Sequence, residues 1–436
     1  MTALSNTKAN ISSKNTSDVK IDTNDRPSWL SDNVVSTLQK QHETIRASNE
    51  EIDDEAGFFL YDLDALTEHL STLMQQDVIK LWFAVKANPL SRIITTLAEQ
   101  GFNFDVASQG ELSQVRKQNI AAERILNTGP AKSKAQMAAF LQQGVRTFVV
   151  ESLLQLQWLN ESAEFLDCQP QVLLRVQLQW PEGEKNPLGG NEVTPFGLSC
   201  EQWQTITVDD YPSLNINGLH IFQWGNMLSN EKMFQLWSQM VDPLVQLAQN
   251  LGMSLEVLDL GGGLGVDYLQ TGNSLSWQQI VQDLTVIKSK AGVKELWLEL
   301  GRYAVAEAGY YVTSVVDKKQ NFTQQQLVLA GGINHLLRPA ITEQAFPANL
   351  LRNSSASLIE FDLHGPLCTS LDKLGRLPLP GDVNVGDQII FGLSGAYGFT
   401  ESMPFFLCHQ IAAEYVLQHG VIEQVRVAEP ASWYLR

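Results

Sequence analysis

The stretch that decides the fold joins a short apolar run to a lysine and a turn: Leu81-Trp82-Phe83-Ala84-Val85-Lys86-Ala87-Asn88-Pro89. An apolar run of this length, bounded by turn residues, is typical of a buried strand. Lys86 stands at the carboxyl end of that strand, so we expect its amine to point into a cleft. An ordinary solvated lysine at a strand end is the commoner alternative, and the rest of the chain decides between the two.

Seven more β-rich apolar runs follow along the chain: Phe102–Val106, Arg124–Thr128, Arg146–Val150, Gln171–Val176, Gly218–Phe222, Glu256–Leu260 and Glu295–Leu300. Most neighbouring runs are separated by a stretch with helical spacing. Strands that alternate with helices pair in parallel. Eight such units predict a (β/α)8 barrel, which typically takes about 250 residues.

The pattern divides the chain into four parts. We expect residues 1–50 to form a polar, flexible tail, and residues 51–75 to supply a first strand and helix that lead into the barrel. The barrel itself is assigned to residues 76–306. Residues 307–436 are assigned to a mostly β domain, which the strand near Phe58 is expected to join.

Strand-like runs dominate after the barrel: Tyr310–Val316, Gln326–Leu329, Ser357–Phe361, Gln388–Phe391 and Phe405–Cys408. Glycine and proline separate them, as in β-rich domains. Within the barrel, residues 177–204 are long and irregular, which indicates a functional loop and a short element rather than a domain boundary.

The composition restricts the class of protein. The chain has 436 residues, 44% of them hydrophobic and 18% charged, with a net charge of −18. It is therefore globular, and its acidic balance disfavours nucleic acid or an anionic membrane as a partner. No apolar stretch reaches the roughly 20 residues that span a bilayer.

The cysteines and the first residues indicate a cytoplasmic protein. Cys168, Cys200, Cys368 and Cys408 lie far apart and form no CxxC pair, so we expect neither a metal site nor a disulfide framework. Residues 1–20 are polar and lack the apolar segment of a signal peptide.

The carboxyl ends of the strands build the active site of a (β/α)8 barrel. The residues with useful chemistry lie at those ends: Lys86, Asp105, Ser108, Arg175, His220, Gly261, Gly262, Gly263, Glu299, Gly301 and Arg302. We therefore expect them to surround one site.

The glycine run Gly261-Gly262-Gly263 follows the seventh strand and is not a dinucleotide motif, because Val266 stands where the last glycine of GxGxxG belongs. It is either a tight turn or a phosphate cradle. Backbone N–H groups can approach an anion there, and a following helix start would add a favourable dipole. Arg302 could add a charged contact.

Glu299 ends the buried eighth strand and needs a partner. One alternative is a salt bridge to Arg302. The other is a carboxylate that faces a pyridine nitrogen and keeps it protonated, which makes the ring a strong electron sink. His220 is either a core histidine or a residue stacked on such a ring. A single cysteine such as Cys368 is usually a small buried hydrophobic residue, so taken alone it indicates no function.

Seven segments in fixed order resemble those of the pyridoxal phosphate (PLP)-dependent decarboxylases of fold type III. The enzymes of this family have an alanine racemase-like barrel, and they include decarboxylases of diaminopimelate, ornithine and arginine. The seven segments are FAVKAN (83–88), FDVASQGEL (104–112), GLHIF (218–222), LDLGGGLG (258–265), ELGRYAVAEAG (299–309), GPLC (365–368) and SGAYGF (394–399). Any one of these is weak evidence, but the seven in order are specific.

The resemblance implies a role for each matching position. Lys86 is implied to form the Schiff base with PLP, His220 to stack on its ring, and Glu299 to pair with its nitrogen. The implied phosphate binders are Gly261, Gly262, Gly263, Arg302 and Tyr397, and Gly301, Asp105, Ser108 and Arg175 complete the expected cofactor site. Cys368 is implied to reach the active site of the second subunit in a homodimer and to protonate the product there.

Departures from the diaminopimelate enzymes bear on the substrate. Arg338 and Asp372 are expected to contact it, Arg338 by gripping a carboxylate. The glutamate expected directly after Cys368 is absent, since Thr369 stands there. The pattern resembles the branch that decarboxylates amino acids already joined to citrate or a carrier, as in siderophore biosynthesis. The alternatives are a diaminopimelate or basic amino acid decarboxylase, a racemase, a non-catalytic regulator, and a phosphate-binding barrel without cofactor.

Overall fold

A computed structural model describes residues 26–47, 57–179 and 193–435 of the chain, without the side chains of 41–47. The first element is helix α1 (Asp32–Ala47). Leu30, Val34, Val35 and Leu38 are buried against the β domain. The prediction of a flexible tail over residues 1–50 is wrong here, because apolar residues about four apart form one stripe along the helix. Residues 1–25 lie outside the described part.

Strand β1 (Phe58–Asp62) is buried at every position and lies in the sheet of the second domain. Helix α2 (Leu63–Met74) follows directly. Its N-cap is Asp62, whose carboxylate accepts the N–H groups of Asp64 and Ala65 at 3.1 and 3.0 Å. The chain thus enters the barrel from the β domain without a linker.

Eight parallel strands close the barrel, which confirms the predicted fold: β2 (Ile79–Ala84), β3 (Asn103–Val106), β4 (Ile125–Asn127), β5 (Thr147–Val150), β6 (Gln171–Arg175), β7 (Asn215–His220), β8 (Val257–Asp259) and β9 (Glu295–Leu300). Pairing of Ile79 with Leu296 closes the ring between β2 and β9. Each predicted apolar run overlaps one of these strands, because parallel strands are covered on both faces.

Helices follow or precede the strands around the barrel: α3 (Ser91–Glu99), α4 (Gln109–Lys117), α5 (Lys134–Gln142), α6 (Leu153–Phe165), α7 (Cys200–Trp203), α8 (Asn230–Asn250), α9 (Trp277–Ala291) and α10 (Arg302–Val305). Of the predicted loop at 177–204, the structure describes the two ends. Leu198 bridges to Val176, and α7 follows. Residues 180–192 lie outside the described part.

The second domain is mostly β, as predicted. Its strands are β10 (Gly309–Asn321), β11 (Gln324–Leu329), β12 (Ala348–Leu350), β13 (Leu358–His364), β14 (Lys373–Pro380), β15 (Gln388–Phe391), β16 (Gln410–Ile411), β17 (Ala413–Gln418), β18 (Val421–Arg426) and β19 (Glu429–Pro430). The main sheet runs β14-β13-β11-β10-β1-β17-β18, and β15 and β12 branch from β10. The domain also holds helix α11 (Arg338–Thr342).

The strand predicted at Phe405–Cys408 is wrong. These residues form a short turn, in which Leu407 and Cys408 have φ angles of +60° and +55°. A positive φ is incompatible with an extended strand, so the apolar composition of the segment misled the prediction.

Among the described residues, no helix is both long and apolar enough to cross a membrane.

Candidate active site

Lys86 follows strand β2 in a short helical turn, Val85–Ala87. Its accessible side chain lines a cavity together with Glu299 and Tyr397. Burial among barrel residues lowers the pKa of Lys86, but its interactions with the acidic groups of Tyr397, Asp105 and Glu299 outweigh burial and raise the pKa overall. The raised pKa favours the protonated amine, which these acidic groups surround.

His220 on β7 and Glu299 on β9 lie on either side of strand β8 and form a buried pair. His220 Nε2 lies 3.2 Å from Glu299 Oε1, and His220 is 1% exposed. Burial lowers the pKa of His220, so we assign a neutral imidazole that donates to Glu299. Burial would raise the pKa of Glu299, but His220, Lys86 and Arg175 together lower it. Glu299 is thus the ionised member of the pair.

The alternative of a salt bridge between Glu299 and Arg302 is wrong, because Arg302 has another partner. Its Nη1 donates instead to the hydroxyl of Tyr268 at 2.8 Å, and its guanidinium lies 5.1 Å from the Tyr397 ring centroid. Among the described residues, Glu299 accepts from His220 and no arginine. Glu299 therefore keeps an oxygen available for another partner.

Two more acids lie at the same end of the barrel. Asp259 Oδ1 accepts the N–H of Gly261 at 2.8 Å, whereas its Oδ2 is buried without a partner among the described residues. Burial and the charge of Glu299 raise the pKa of Asp259 well above its usual range. Burial and Glu299 also raise the pKa of Asp105 to about 8, and Thr128 donates to Asp105 at 2.5 Å.

The glycine run forms a floor that tolerates no side chain. A Cβ atom on Gly261, Gly262 or Gly263 would come within 2.5 Å of Phe222 Cβ, 2.3 Å of the Glu299 carbonyl oxygen and 2.5 Å of the Trp224 carbonyl oxygen, respectively. Gly261 and Gly263 also have positive φ angles, +63° and +109°, which favour glycine. Glycine is therefore required here by the close packing of this backbone against neighbouring segments of the barrel.

The predicted helix dipole behind the glycines is wrong. The next helix, α9, does not begin until Trp277, so residues 264–276 continue as a loop. Binding of an anion here would rest on the backbone N–H groups of Gly262 and Gly263 and on Arg302, all three of which line the same cavity.

Tyr397 is held close to Lys86 by its backbone. Its N–H donates to the carbonyl of Ala87 at 2.9 Å, and its φ angle of +53° is unusual for a tyrosine. A Cβ atom on Gly301 would lie 2.9 Å from the Tyr397 hydroxyl, so glycine at 301 leaves room for that ring. Gly301 and Tyr397 both line the Lys86 cavity.

Arg175 and Ser108 lie at strand ends but have local partners. Arg175 Nη1 pairs with Glu151 Oε1 at 3.1 Å, and both side chains are buried. The other oxygen of Glu151 accepts the N–H of Gly197 at 3.2 Å. Ser108 caps helix α4 by accepting the N–H of Glu111 at 3.1 Å. Their predicted contacts with a cofactor stay predictions.

Comparison with known proteins gives a family for this arrangement. The family model described as the pyridoxal binding domain of pyridoxal-dependent decarboxylases matches residues 63–306, more than half of the chain. The chain belongs to the pyridoxal-dependent decarboxylase family. Its cofactor is PLP, and its class of reaction is decarboxylation.

Individual relatives share about a quarter of their residues with this decarboxylase. A Staphylococcus aureus decarboxylase of 2-((L-alanin-3-ylcarbamoyl)methyl)-2-hydroxybutanedioate is 28% identical over 374 residues, which is 80% of this chain and 91% of that protein. A Niallia circulans decarboxylase of the L-glutamyl BtrI acyl-carrier protein is 27% identical, over 85% of this chain and 91% of its own.

A solved structure has the same fold. Diaminopimelate decarboxylase from Helicobacter pylori, complexed with L-lysine, superposes with a TM-score of 0.78 at 23% identity. The match covers 87% of this decarboxylase and 96% of that chain. At this identity the likeness establishes the fold alone.

The residues of this decarboxylase fit PLP. His220, Asp259 and Glu299 place ligand atoms within 4.8 Å of one another, and Asp259 Oδ2 has no partner among the described residues. Such a group suits a positive charge, as on a protonated pyridine nitrogen. The backbone of Gly262 and Gly263 and the guanidinium of Arg302 line the cavity and suit a phosphate. Lys86 lies in the same cavity as the glycines and Glu299.

Cys368 and Asp372 lie on the β domain, away from the lining of that cavity. Cys368 is exposed. Asp372 is buried, and its two oxygens accept the N–H groups of Ile333 and Leu367 at 2.8 and 2.7 Å. Both oxygens of Asp372 thus accept backbone N–H groups inside the domain, and its predicted contact with substrate stays a prediction.

Sequence reasoning missed several polar residues of the site. Asp259, Thr128 and Glu151 end or follow strands β8, β4 and β5, so the rule that strand ends build the site could have found them. Glu111, whose Oε2 accepts the N–H of Ala107 at 2.7 Å, lies in a helix and gave no such indication. Glu401, which binds Arg338, could not be identified without the fold.

Proposed function

We propose that this decarboxylase removes the α-carboxylate of an amino acid already joined to a larger carboxylated group, as in siderophore biosynthesis. The observation that supports this substrate is the segment after Cys368. It carries Thr369 in place of a glutamate, and its one acid, Asp372, is buried on backbone amides. The segment therefore offers no carboxylate to a second amino acid end, which free diaminopimelate has.

Three groups of residues around the Lys86 cavity would hold PLP under this proposal. The amine of Lys86 would hold PLP covalently. Gly262, Gly263 and Arg302 would hold its phosphate, and the carboxylate of Glu299 would face its ring nitrogen and favour the protonated form. PLP, when bound, supplies a ring that withdraws the electrons left on Cα when carbon dioxide departs.

The relatives support both parts of the proposed substrate. The Staphylococcus aureus protein acts on an amino acid amide of a hydroxy tricarboxylate, and the Niallia circulans protein acts on an amino acid on a carrier. The second candidate is diaminopimelate decarboxylation. It is favoured by a Zymomonas mobilis diaminopimelate decarboxylase that is 29% identical over 73% of this chain.

A panel of substrates tests the proposal. The loaded enzyme is incubated separately with diaminopimelate, ornithine, lysine and 2-((L-alanin-3-ylcarbamoyl)methyl)-2-hydroxybutanedioate, and loss of 44 Da is followed by mass spectrometry. The proposal requires that the last of these compounds, called the tricarboxylate amide below, has the highest kcat/KM of the four. A preference for diaminopimelate would establish the second candidate instead, and conversion of enantiomers without loss of mass would indicate a racemase.

We also propose that the active form is a homodimer in which Cys368 of one copy serves the site of the other. Cys368 is exposed, and Leu371 beside it is 68% exposed. Phe405, Trp433 and Tyr434 pack on one another and are also exposed, with ring centroids 4.8 Å apart for Phe405 and Tyr434. Exposed apolar groups of this kind are typical of interaction surfaces.

Complementation tests the shared site. Lys86→Ala and Cys368→Ala proteins are each expected to be nearly inactive, because each lacks one part of every site. Unfolding and refolding them together should restore part of the activity, since a mixed dimer has one site with both residues. No recovery from a mixture shown to contain mixed dimers would contradict a shared site.

A further inference from the structure

Arg338, the residue expected to grip a substrate carboxylate, already holds a carboxylate of its own chain. Its Nη1 lies 2.9 Å from Oε1 and 2.7 Å from Oε2 of Glu401. Both side chains are partly buried, with 15% and 31% of their surfaces exposed. Among the described residues, no other acid pairs with Arg338.

The two segments that carry this pair are fixed to each other. The N–H of Met403 donates to the carbonyl of Ile333 at 3.0 Å, and the N–H of Leu337 donates to Ser402 Oγ at 3.3 Å. Glu401 thus faces Arg338 because the backbone on both sides is paired. The ion pair is built into the fold rather than formed by chance between two long surface side chains.

The pair adjoins the Lys86 cavity through one aromatic ring. The Arg338 guanidinium lies 4.9 Å from the ring centroid of Tyr397, and Tyr397 lines the cavity. Glu401 follows Tyr397 by four residues in the same turn-rich segment. A substrate that extends from Lys86 past Tyr397 would therefore meet Arg338 and Glu401 together.

We propose that Glu401 determines which distal charge a substrate can carry. Its carboxylate pairs with Arg338 until a distal carboxylate of the substrate replaces it. This inference rests on the proposed substrate class. A carboxylate substrate has to displace Glu401, so its apparent affinity equals its intrinsic affinity multiplied by the fraction of molecules in which Arg338 is free. Glu401 in turn shields a substrate with a distal amine from the charge of Arg338.

The proposal predicts opposite effects on two classes of ligand when Glu401 is neutralised. In Glu401→Gln, Arg338 keeps a neighbour of the same shape but loses the competing negative charge. Carboxylate ligands should bind more tightly. Ornithine and lysine, whose distal amines are positive, should bind less well because the charge of Arg338 is no longer neutralised.

Citrate alone serves as a probe that does not depend on turnover. Its binding to the PLP-loaded enzyme is measured by calorimetry. Glu401→Gln should bind citrate about tenfold more tightly than the wild type, a coupling of ordinary size for two linked sites. The double variant Glu401→Gln/Arg338→Met should lose that gain, because the gain depends on a free arginine.

Glu423→Gln provides the matched control. Glu423 also pairs with an arginine at 2.7 Å, but its partner is Arg92 on helix α3. Among the described residues, Arg92 lies on no aromatic ring, whereas Arg338 lies on that of Tyr397. The Glu423→Gln enzyme should bind citrate as the wild type does. Equal affinity of Glu401→Gln and wild type, a gain that survives loss of Arg338, or no binding of citrate to Glu401→Gln would each overturn the role of Glu401.

Turnover separates this inference from the proposed function. The ratio of kcat/KM for the tricarboxylate amide to that for ornithine should rise in Glu401→Gln. If the wild type prefers the tricarboxylate amide and Glu401→Gln leaves the ratio unchanged, the substrate proposal stands and the role of Glu401 fails. If the wild type prefers diaminopimelate, the substrate proposal fails, and the citrate measurement still decides the role of Glu401.

Discussion

The backbone N–H of Tyr397 donates a 2.9 Å hydrogen bond to the carbonyl of Ala87, the residue directly after Lys86. The side chain of Asn88 makes a second link, 2.9 Å to the carbonyl of Gly395. The β domain therefore holds the turn that carries the reactive lysine. The two hydrogen bonds join segments that lie more than 300 residues apart in sequence. They make the Lys86 turn and the second domain one structural unit.

Glu299→Gln is expected to lower kcat by about 10²–10³, the usual effect of removing one preorganised electrostatic group from an active site. A neutral amide cannot keep the ring nitrogen protonated, so the ring withdraws electrons less well. PLP should remain bound, because the glycines and Arg302 hold the phosphate separately. Steady-state kinetics on the preferred substrate, with bound PLP measured by absorbance, provide the test.

Glu295→Gln is the control for that substitution. Glu295 lies on the same strand but at its opposite, exposed end, where it accepts from Trp297 at 2.7 Å. Its kcat should match the wild type, since the amino ends of barrel strands contribute to stability rather than catalysis. A Glu299→Gln enzyme with unchanged kcat would exclude Glu299 as the partner of the ring nitrogen.

Asp372→Ala is expected to destabilise the protein by about 2–4 kcal/mol, because two buried backbone N–H groups lose their acceptor. KM of the Asp372→Ala enzyme should change little. Urea unfolding measures the loss, and Asp317→Ala, which removes an exposed carboxylate 3.2 Å from Lys319, should leave stability nearly unaltered. A large increase in KM at full stability would instead establish Asp372 as a substrate contact.

Lys132 predicts a stability that depends on pH. Its amine is buried and donates to the carbonyls of Gly129 and Val149 at 2.6 and 2.7 Å. Burial lowers the pKa of Lys132 from 10.5 to about 8. Between these values the unfolded chain binds more protons than the folded one, so the contribution of Lys132 to the free energy of unfolding rises with pH.

The variant Lys132→Met isolates that contribution, because all other titrating groups cancel in the difference. Between about pH 7.5 and about pH 9.5, the free energy of unfolding of the wild type should rise by roughly 1–2 kcal/mol relative to that of Lys132→Met, since one pKa unit corresponds to about 1.4 kcal/mol. Urea unfolding at several pH values gives the difference. A difference that stays constant with pH would show that the folded protein does not shift this pKa.

The sequence was sufficient to predict the barrel and to identify the side chains at the ends of its strands. Strands such as Leu81–Val85 are apolar throughout because helices cover the barrel, and their last residues point to the site by geometry alone. That reasoning placed Lys86, His220 and Glu299 in one cavity region. It needed only the order of strands along the chain.

Partners that depend on contacts between distant segments could not be predicted. Asp372 looks like a free acid until the fold brings Ile333 and Leu367 to it. Glu401 has no local motif, and its meaning appears only when the backbone pairs its segment with that of Arg338. Helix α1 was missed because the polar composition of the first 50 residues concealed a narrow apolar stripe.

Borohydride reduction of the PLP-loaded enzyme, followed by peptide mapping, tests most directly whether Lys86 carries the cofactor. Reduction fixes the carbon–nitrogen link to the lysine that carries PLP. A pyridoxyl group is predicted on the peptide that contains Lys86, and on none in Lys86→Ala. A label on Lys132, on any other lysine, or on no peptide of an enzyme shown to contain PLP would contradict the assignment of the site.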